Sequence, residues 1–238
     1  MSINKKGFTI VELMIAISIF SGLLIIMVYS FIFSLDAFMK AYVSSKTQET
    51  LRNVDQSISA SINLGTSGVV YLKPVQYTIT NGNYIITSQG FCIGQYRYSY
   101  ILSQESDSNG NYSYLNLSIP ILNHNLVQDV VTGGCNSNIS AQDLSYPLNS
   151  SAPQLLTSSS KELVGNNIGI LSFSLSPTNT FGNTPVYNFL ATFGYGNNLN
   201  VSYDESGNLN SSSCPGTFHG GNFCALSSFN DYINQRVY

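Results

Sequence analysis

From Phe8 to Phe33 the chain reads FTIVELMIAISIFSGLLIIMVYSFIF, a run whose single charge is Glu12. A helix needs about 20 apolar residues to cross the hydrocarbon core of a bilayer, so this run is long enough to span with some tilt. Lys5 and Lys6 stand just before it. Positive residues stay on the cytoplasmic side, which sends the rest of the chain outside. A cleaved secretory signal has an apolar stretch of about 7–15 residues followed by a small-x-small cut site. Here the stretch is longer, no such site follows Phe33, and bulky residues continue through Phe38 and Tyr42. A plain signal anchor accounts for the span and leaves Glu12 unexplained.

A carboxylate inside a membrane segment is expensive and persists by finding a partner. No cation lies within the run. A cut between Gly7 and Phe8 would create one, because the new α-amine is largely protonated at neutral pH. The string KKGFTIVELMIAISIF resembles the N-terminus of type IV prepilin-like proteins. That resemblance implies that Gly7 is the last residue of a short basic leader and that Phe8 is the N-methylated mature start. It also implies that Glu12, five places into the mature chain, is the assembly carboxylate. In an assembled bundle Glu12 would neutralise the Phe8 amine of a neighbouring subunit. The implied partners are a prepilin peptidase and methylase, other pilin subunits met through the N-terminal helix, and an inner-membrane assembly platform. The implied place is the cytoplasmic membrane as a single-pass precursor, then a pilus or pseudopilus outside.

The rest of the chain extends this organisation. No Pro precedes Pro74, and no Gly falls between Gly22 and Gly65. Leu51, Val54, Ile58 and Ile62 repeat at three and four residues, the stripe of an amphipathic helix, and Val43 and Thr47 extend it backward. The 55 residues from Phe8 to Ile62 predict one helix of about 80 Å at 1.5 Å per residue, with Gly65 and Gly68 as the stop. Beyond Val69 short runs rich in Tyr, Ile, Val and Thr alternate with Asn-Gly and Ser-rich breaks. They predict strands at 75–80, 84–88, 97–102, 112–119, 170–175 and 188–193, with hairpin turns at Asn81-Gly82 and Asn109-Gly110. The alternation Gln95-Tyr96-Arg97-Tyr98-Ser99-Tyr100 predicts a sheet with one wet face. Residues 136–160 read as loop, and Leu226, Phe229 and Ile233 as a short helix in the tail. The fold class is α+β, a long N-terminal helix packed on an antiparallel β-sheet ectodomain. The expected divisions are a leader at 1–7, a transmembrane half-helix at 8–33, an amphipathic half at 34–64 and a disulfide-bonded, β-rich extracytoplasmic domain at 65–238.

Charged residues make up 9% of the chain, against about 25% in ordinary globular proteins. Its polar surface comes from 36 Ser and 26 Asn instead. The net charge of −3 leaves no basic footprint for phosphates, so direct nucleic-acid binding is not expected. With 43% hydrophobic residues, the chain is not built for long disorder.

Cys92, Cys135, Cys214 and Cys224 all lie beyond the apolar run, where an even count reads as disulfides. Of the three connectivities, Cys214–Cys224, which closes a short C-terminal loop, and Cys92–Cys135 are the expected pairs. A zinc site would want close Cys-x-x-Cys pairs, and none occurs. The run Glu105-x-Asp107-x-Asn109-Gly110-Asn111 resembles the start of a calcium loop, but its twelfth position from Glu105 holds Asn116 where a bidentate acid belongs. A solvated hairpin turn is the preferred reading there, and also at 203–208. The Asn111 and Asn138 sequons are expected by chance in so Asn- and Ser-rich a chain. His124 and His219 find no Gly-x-Ser-x-Gly nucleophile turn to serve, so neither an enzyme, a cofactor nor a metal site is expected.

The segment LVGNNIGILSFSLSP, from Leu163 to Pro177, is similar to one in J-type pseudopilins and W-type minor pilins, where a loop precedes a central strand. Many major pilins carry a helix-breaking Pro in the membrane half, where this chain has only Gly22. The resemblance therefore implies a minor pilin or pseudopilin. Alternatives are a type II secretion pseudopilin and, from another class, a membrane-anchored binding or adhesion module that never polymerises. A secreted hydrolase would need a motif the chain does not have.

Overall fold

The computed structural model describes residues 9–65, 68–78, 85–107, 109–115, 125–142, 144, 160–164, 167–181, 184–196, 199–214 and 223–235. The chain divides into two compact units, Met1–Tyr42 and Val43–Tyr238. One helix, α1 (Ile10–Leu64), contributes to both. It begins on Thr9 and, with no Pro inside it, runs to the residue before Gly65. In the first unit none of its side chains is buried; Ile10 is 79% exposed and Phe33 62%. This is the one described helix long and apolar enough to cross a membrane.

In the second unit the same helix buries Val43, Thr47, Thr50, Leu51, Val54, Ile58, Ser61 and Ile62. These are the three- and four-residue steps that carry one face of a helix. The strands that follow are β1 (Val69–Tyr71), β2 (Val75–Thr78), β3 (Ile85–Ile93), β4 (Tyr96–Ile101), β5 (Gln104–Ser106), β6 (Tyr112–Tyr114), β7 (Leu126–Val130), β8 (Lys161–Val164), β9 (Ile168–Phe181), β10 (Thr184–Tyr195), β11 (Asn200–Tyr203), β12 (Leu209–Ser213) and β13 (Ala225–Asn234). The first eight form one sheet in the order β6-β5-β3-β4-β7-β8, with β1 and β2 also paired to β3. A second sheet runs β13-β10-β9, and β11 with β12 makes a separate hairpin. Every strand pair is antiparallel.

The stripe of α1 shares one core with the inward faces of both larger sheets. Phe91 stacks on Tyr98 at 5.1 Å and on Phe173 at 5.9 Å, and Phe173 meets the edge of Phe189 at 5.2 Å. A polar pin crosses this core. The fully buried Tyr98 hydroxyl donates to the Ser57 carbonyl at 3.1 Å and accepts from Gln128 Nε2 at 2.9 Å. It also lies 2.7 Å from Ser61 Oγ.

The outward face of the first sheet is covered too. Residues 135–142 and Leu144 lie across it, tied at one end by the Cys92–Cys135 disulfide. Arg97 reaches Asp129 with Nε at 2.9 Å and Nη2 at 2.6 Å, and its Nη1 donates to the Ser140 carbonyl at 3.2 Å. Ser88 donates to the Gln142 carbonyl, and the Gln142 N–H donates to Ser99 Oγ. A second apolar cluster of Ile86, Ile101, Leu115, Val127 and Leu144 sits on this side. The expected wet face on residues 95–100 is therefore corrected: Ser99 is fully buried, because the later chain folds back over it.

The tail is a second correction, since 225–234 is a strand and not a helix. Ten residues of β13 pair with β10, from Ala225↔Tyr195 to Asn234↔Val186. Phe229 and Ile233 stand four apart, a spacing that places two side chains on one face of a helix or of a strand. Alternation with exposed Ser228, Asn230 and Tyr232 marks the strand. The expected strands at 75–80, 84–88, 97–102, 112–119, 170–175 and 188–193 overlap β2, β3, β4, β6, β9 and β10. The Asn81-Gly82 turn and the end of the expected strand at 116–119 lie outside the described residues, as do His124 and His219.

Candidate functional site

Thr9 and Glu12 open α1 with a reciprocal cap. The Glu12 backbone N–H donates to Thr9 Oγ1 at 3.3 Å, while Glu12 Oε2 accepts from the Thr9 N–H and the Thr9 hydroxyl, each at 2.9 Å. This is a capping box, in which an N-cap Thr and a Glu three residues on satisfy two amides the helix cannot reach. A carboxylate at this end also suits the positive pole of the helix dipole. The pattern Thr-Ile-Val-Glu is readable in the sequence and gives Glu12 a capping role beside the assembly role that the resemblance implies. A cut after Gly7 leaves the Phe8–Thr9 peptide intact, so the cap is compatible with processing. Gly7 and Phe8 themselves lie outside the described residues.

Below the cap, two hydroxyls in the apolar run are turned onto the helix backbone. Ser18 donates to the Ile15 carbonyl and Ser21 to the Ile17 carbonyl, both at 2.8 Å. Such internal bonds remove donors that lipid could not satisfy. Around Gly22 nothing approaches within 4 Å of where a Cβ would stand.

The four cysteines form two bonds, Cys92–Cys135 and Cys214–Cys224, the pairing expected from the sequence. The first fastens the covering segment to β3, and the second links the end of β12 to the start of β13.

The calcium-like run proves to be a turn that consumes its own carboxylate. Asp107 Oδ1 accepts the N–H groups of Asn109 and Asn111, both at 2.8 Å, and Oδ2 accepts Asn111 Nδ2 at 3.0 Å. Asp204 repeats this with Ser206 and Asn208, at 2.9, 2.8 and 3.1 Å. Gly110 and Gly207 supply the left-handed residue, with φ of +84° and +77°. Both carboxyls lie below the ordinary Asp range. The Asn111 side chain and backbone do most of this for Asp107, and the Asn208 backbone and side chain for Asp204. Both are Asp-x-x-Gly-Asn, a local repeat legible in the sequence. Among the described residues no three His, Cys, Asp or Glu side chains gather to hold a metal ion.

A long helix packed on antiparallel sheets, led by an unburied apolar half whose head carries a capped carboxylate, is a pilin-like α+β arrangement. Residues 3–29 match the family model described as the prokaryotic N-terminal methylation motif. That motif implies processing by a prepilin peptidase. No curated protein and no solved structure matches the chain.

Proposed function

We propose that this chain is a structural subunit, a minor pilin or pseudopilin, of a type IV pilus-like filament. It is inserted as a membrane precursor, cut after Gly7, methylated on Phe8 and packed into the filament by the first half of α1. The observation that carries this reading is the head of that helix. Glu12 sits within the methylation motif, at the start of a stretch whose apolar side chains stay exposed for more than thirty residues. Only lipid or other helices can cover such a surface. The absence of Pro from this stretch supports a minor or pseudopilin role over that of a bulk fibre subunit. The partners are the peptidase and methylase, neighbouring subunits through α1, and the inner-membrane platform; residues beyond the membrane half lie on the extracytoplasmic side.

Two measurements test the proposal together. Mass spectrometry of the mature protein should find N-methylated Phe8, and shearing should release part of the protein with filaments. An intact Met1, or a cut protein confined to the membrane in cells that make filaments, contradicts it. Gly7→Leu should block the cut and leave the precursor in the membrane.

A further inference from the structure

The outward face of the β9–β10–β13 sheet carries a second feature, independent of assembly. Register places Ser172, Thr192 and Ser228 in one row across the strands, and Ser174, Leu190 and Asn230 in the next. The row after that holds Ser176, Asn188 and Tyr232. None of these nine side chains is charged. Leu190 is 39% exposed and Tyr232 61%, so an aliphatic and an aromatic side chain stand among hydroxyls and amides.

On this face a cleft of about 300 Å³ opens between β9–β10 and the tip of the β11–β12 hairpin. Its floor is Ser172, Ser174 and Thr192, its apolar walls include Leu102, Leu190 and Leu209, and none of the described residues that line it is charged. The register shift between Thr192 and Phe193 leaves Leu171 as an extra residue in β9 at the cleft. Bulges recur where a strand must re-aim a side chain beside a site. Ser172 Oγ, in the cleft, and Asn188 Oδ1, on the same face, are both buried without a hydrogen-bond partner among the described residues. Buried polar atoms in native proteins are normally satisfied, and an exception calls for a missing partner.

We propose that this cleft binds an uncharged saccharide. Its hydroxyls both donate and accept, which matches a ligand whose own groups do both. Its leucines offer apolar surface to the C–H face of a sugar ring. Its volume is at the low end of small-molecule sites, about 300–1,000 Å³, which suits one ring and excludes a nucleotide. With no cation among its described lining residues, the cleft offers a phosphate or carboxylate no counter-charge.

The test is saturation-transfer NMR on the full-length protein in a micelle without sugar headgroups. The probes are glucose, galactose and N-acetylglucosamine, with glucose 6-phosphate as the anionic control. Transfer is expected to at least one neutral sugar and to be weaker for the phosphate. Ser172→Ala should weaken binding about fivefold, the worth of one hydrogen bond. Leu190→Lys, a surface change that leaves the core alone, should abolish it. No transfer to any of the three sugars overturns the proposal, as does transfer that both variants leave unchanged or a preference for the phosphate. If Leu190→Lys instead alters self-association with no sugar bound, the face belongs to a second copy of this chain and the proposal fails. None of these results bears on cleavage or filament entry.

Discussion

The two halves of α1 share one backbone geometry and differ in what covers them. Up to Phe33 the helix carries Glu12 as its single charge on an otherwise largely apolar surface, and up to Tyr42 none of its described side chains is buried. From Val43 it is one-sided, and Val54 and Ile58 are sealed completely. The first half therefore depends on lipid or neighbouring helices, and the second on the sheets of its own unit. On the proposed function, one helix would serve assembly and folding through two separate stretches of sequence, which can be disturbed independently.

The largest effect should come from cutting the same side chain back in each half. Ile58→Ala should lower stability by about 2–5 kcal/mol, the usual cost of a cavity in a packed core. Ile25, 70% exposed, should tolerate the same change without moving the unfolding transition. Urea unfolding of the micelle-held protein, followed by near-ultraviolet circular dichroism of its 16 Tyr, reads both. Equal losses would mean that the first half also contributes to the domain core.

Arg97→Met should cost less, up to about 3 kcal/mol. It removes the counter-charge of the Asp129 carboxylate, only 3% exposed, and leaves it the Gln142 Nε2 donor at 3.2 Å, while Arg97 itself retains 19% exposure. Limited proteolysis within 135–142 should quicken, because Arg97 also holds the Ser140 carbonyl. Tyr98→Phe should cost about 1–3 kcal/mol by leaving Gln128 and Ser61 without their shared partner, with no effect on membrane insertion.

The smallest effect concerns Asp55, on the partly buried flank of the second half. Burial, then the Asp231 charge, raises its pKa, against a Ser59 hydrogen bond that lowers it. The folded state thus holds the Asp55 proton more tightly than the unfolded chain does. Ionisation costs no stability below the unfolded value of about 3.9, and the cost grows as pH rises through the raised folded value. Asp55→Asn should flatten that part of the stability profile and gain less than about 1 kcal/mol at neutral pH, the range for partly exposed charges. A variant as pH-sensitive as the parent between pH 3 and 7 would contradict this.

What the sequence showed of this fold follows from how local each signal is. The stripe from Val43 to Ile62 and the stop before Gly65 depend on residues three and four apart. The strands around Tyr98 and Phe173 announce themselves by alternation, and the spare cysteines by their placement. Missed features depend on distant chain. Ser99 reads as solvent-facing until residues 135–142 fold over it, and β13 reads as a helix until β10 supplies its hydrogen bonds. The short strand β8 has no alternation long enough to read. The turns at 105–111 and 203–208 read as turns from the sequence, and their shared Asp-x-x-Gly-Asn pattern is local, as is the Thr9–Glu12 capping box. The cleft floor is a register effect, since Ser172 and Thr192 meet only when β9 and β10 pair.

The capping box sharpens what must be asked of Glu12, because Ala removes both the cap and the charge. Gln at the same position can still receive the Thr9 N–H, and Gln is accepted in capping boxes; it lacks only the charge. Glu12→Gln and Glu12→Ala, compared by a processing blot beside membrane and sheared-filament fractions, separate the two roles. If charge pairing with a neighbouring Phe8 amine drives assembly, both variants should be cut, inserted and disulfide-bonded normally, and both should be missing from filaments. Normal filament entry by Glu12→Gln would contradict that account and leave Glu12 as a helix cap.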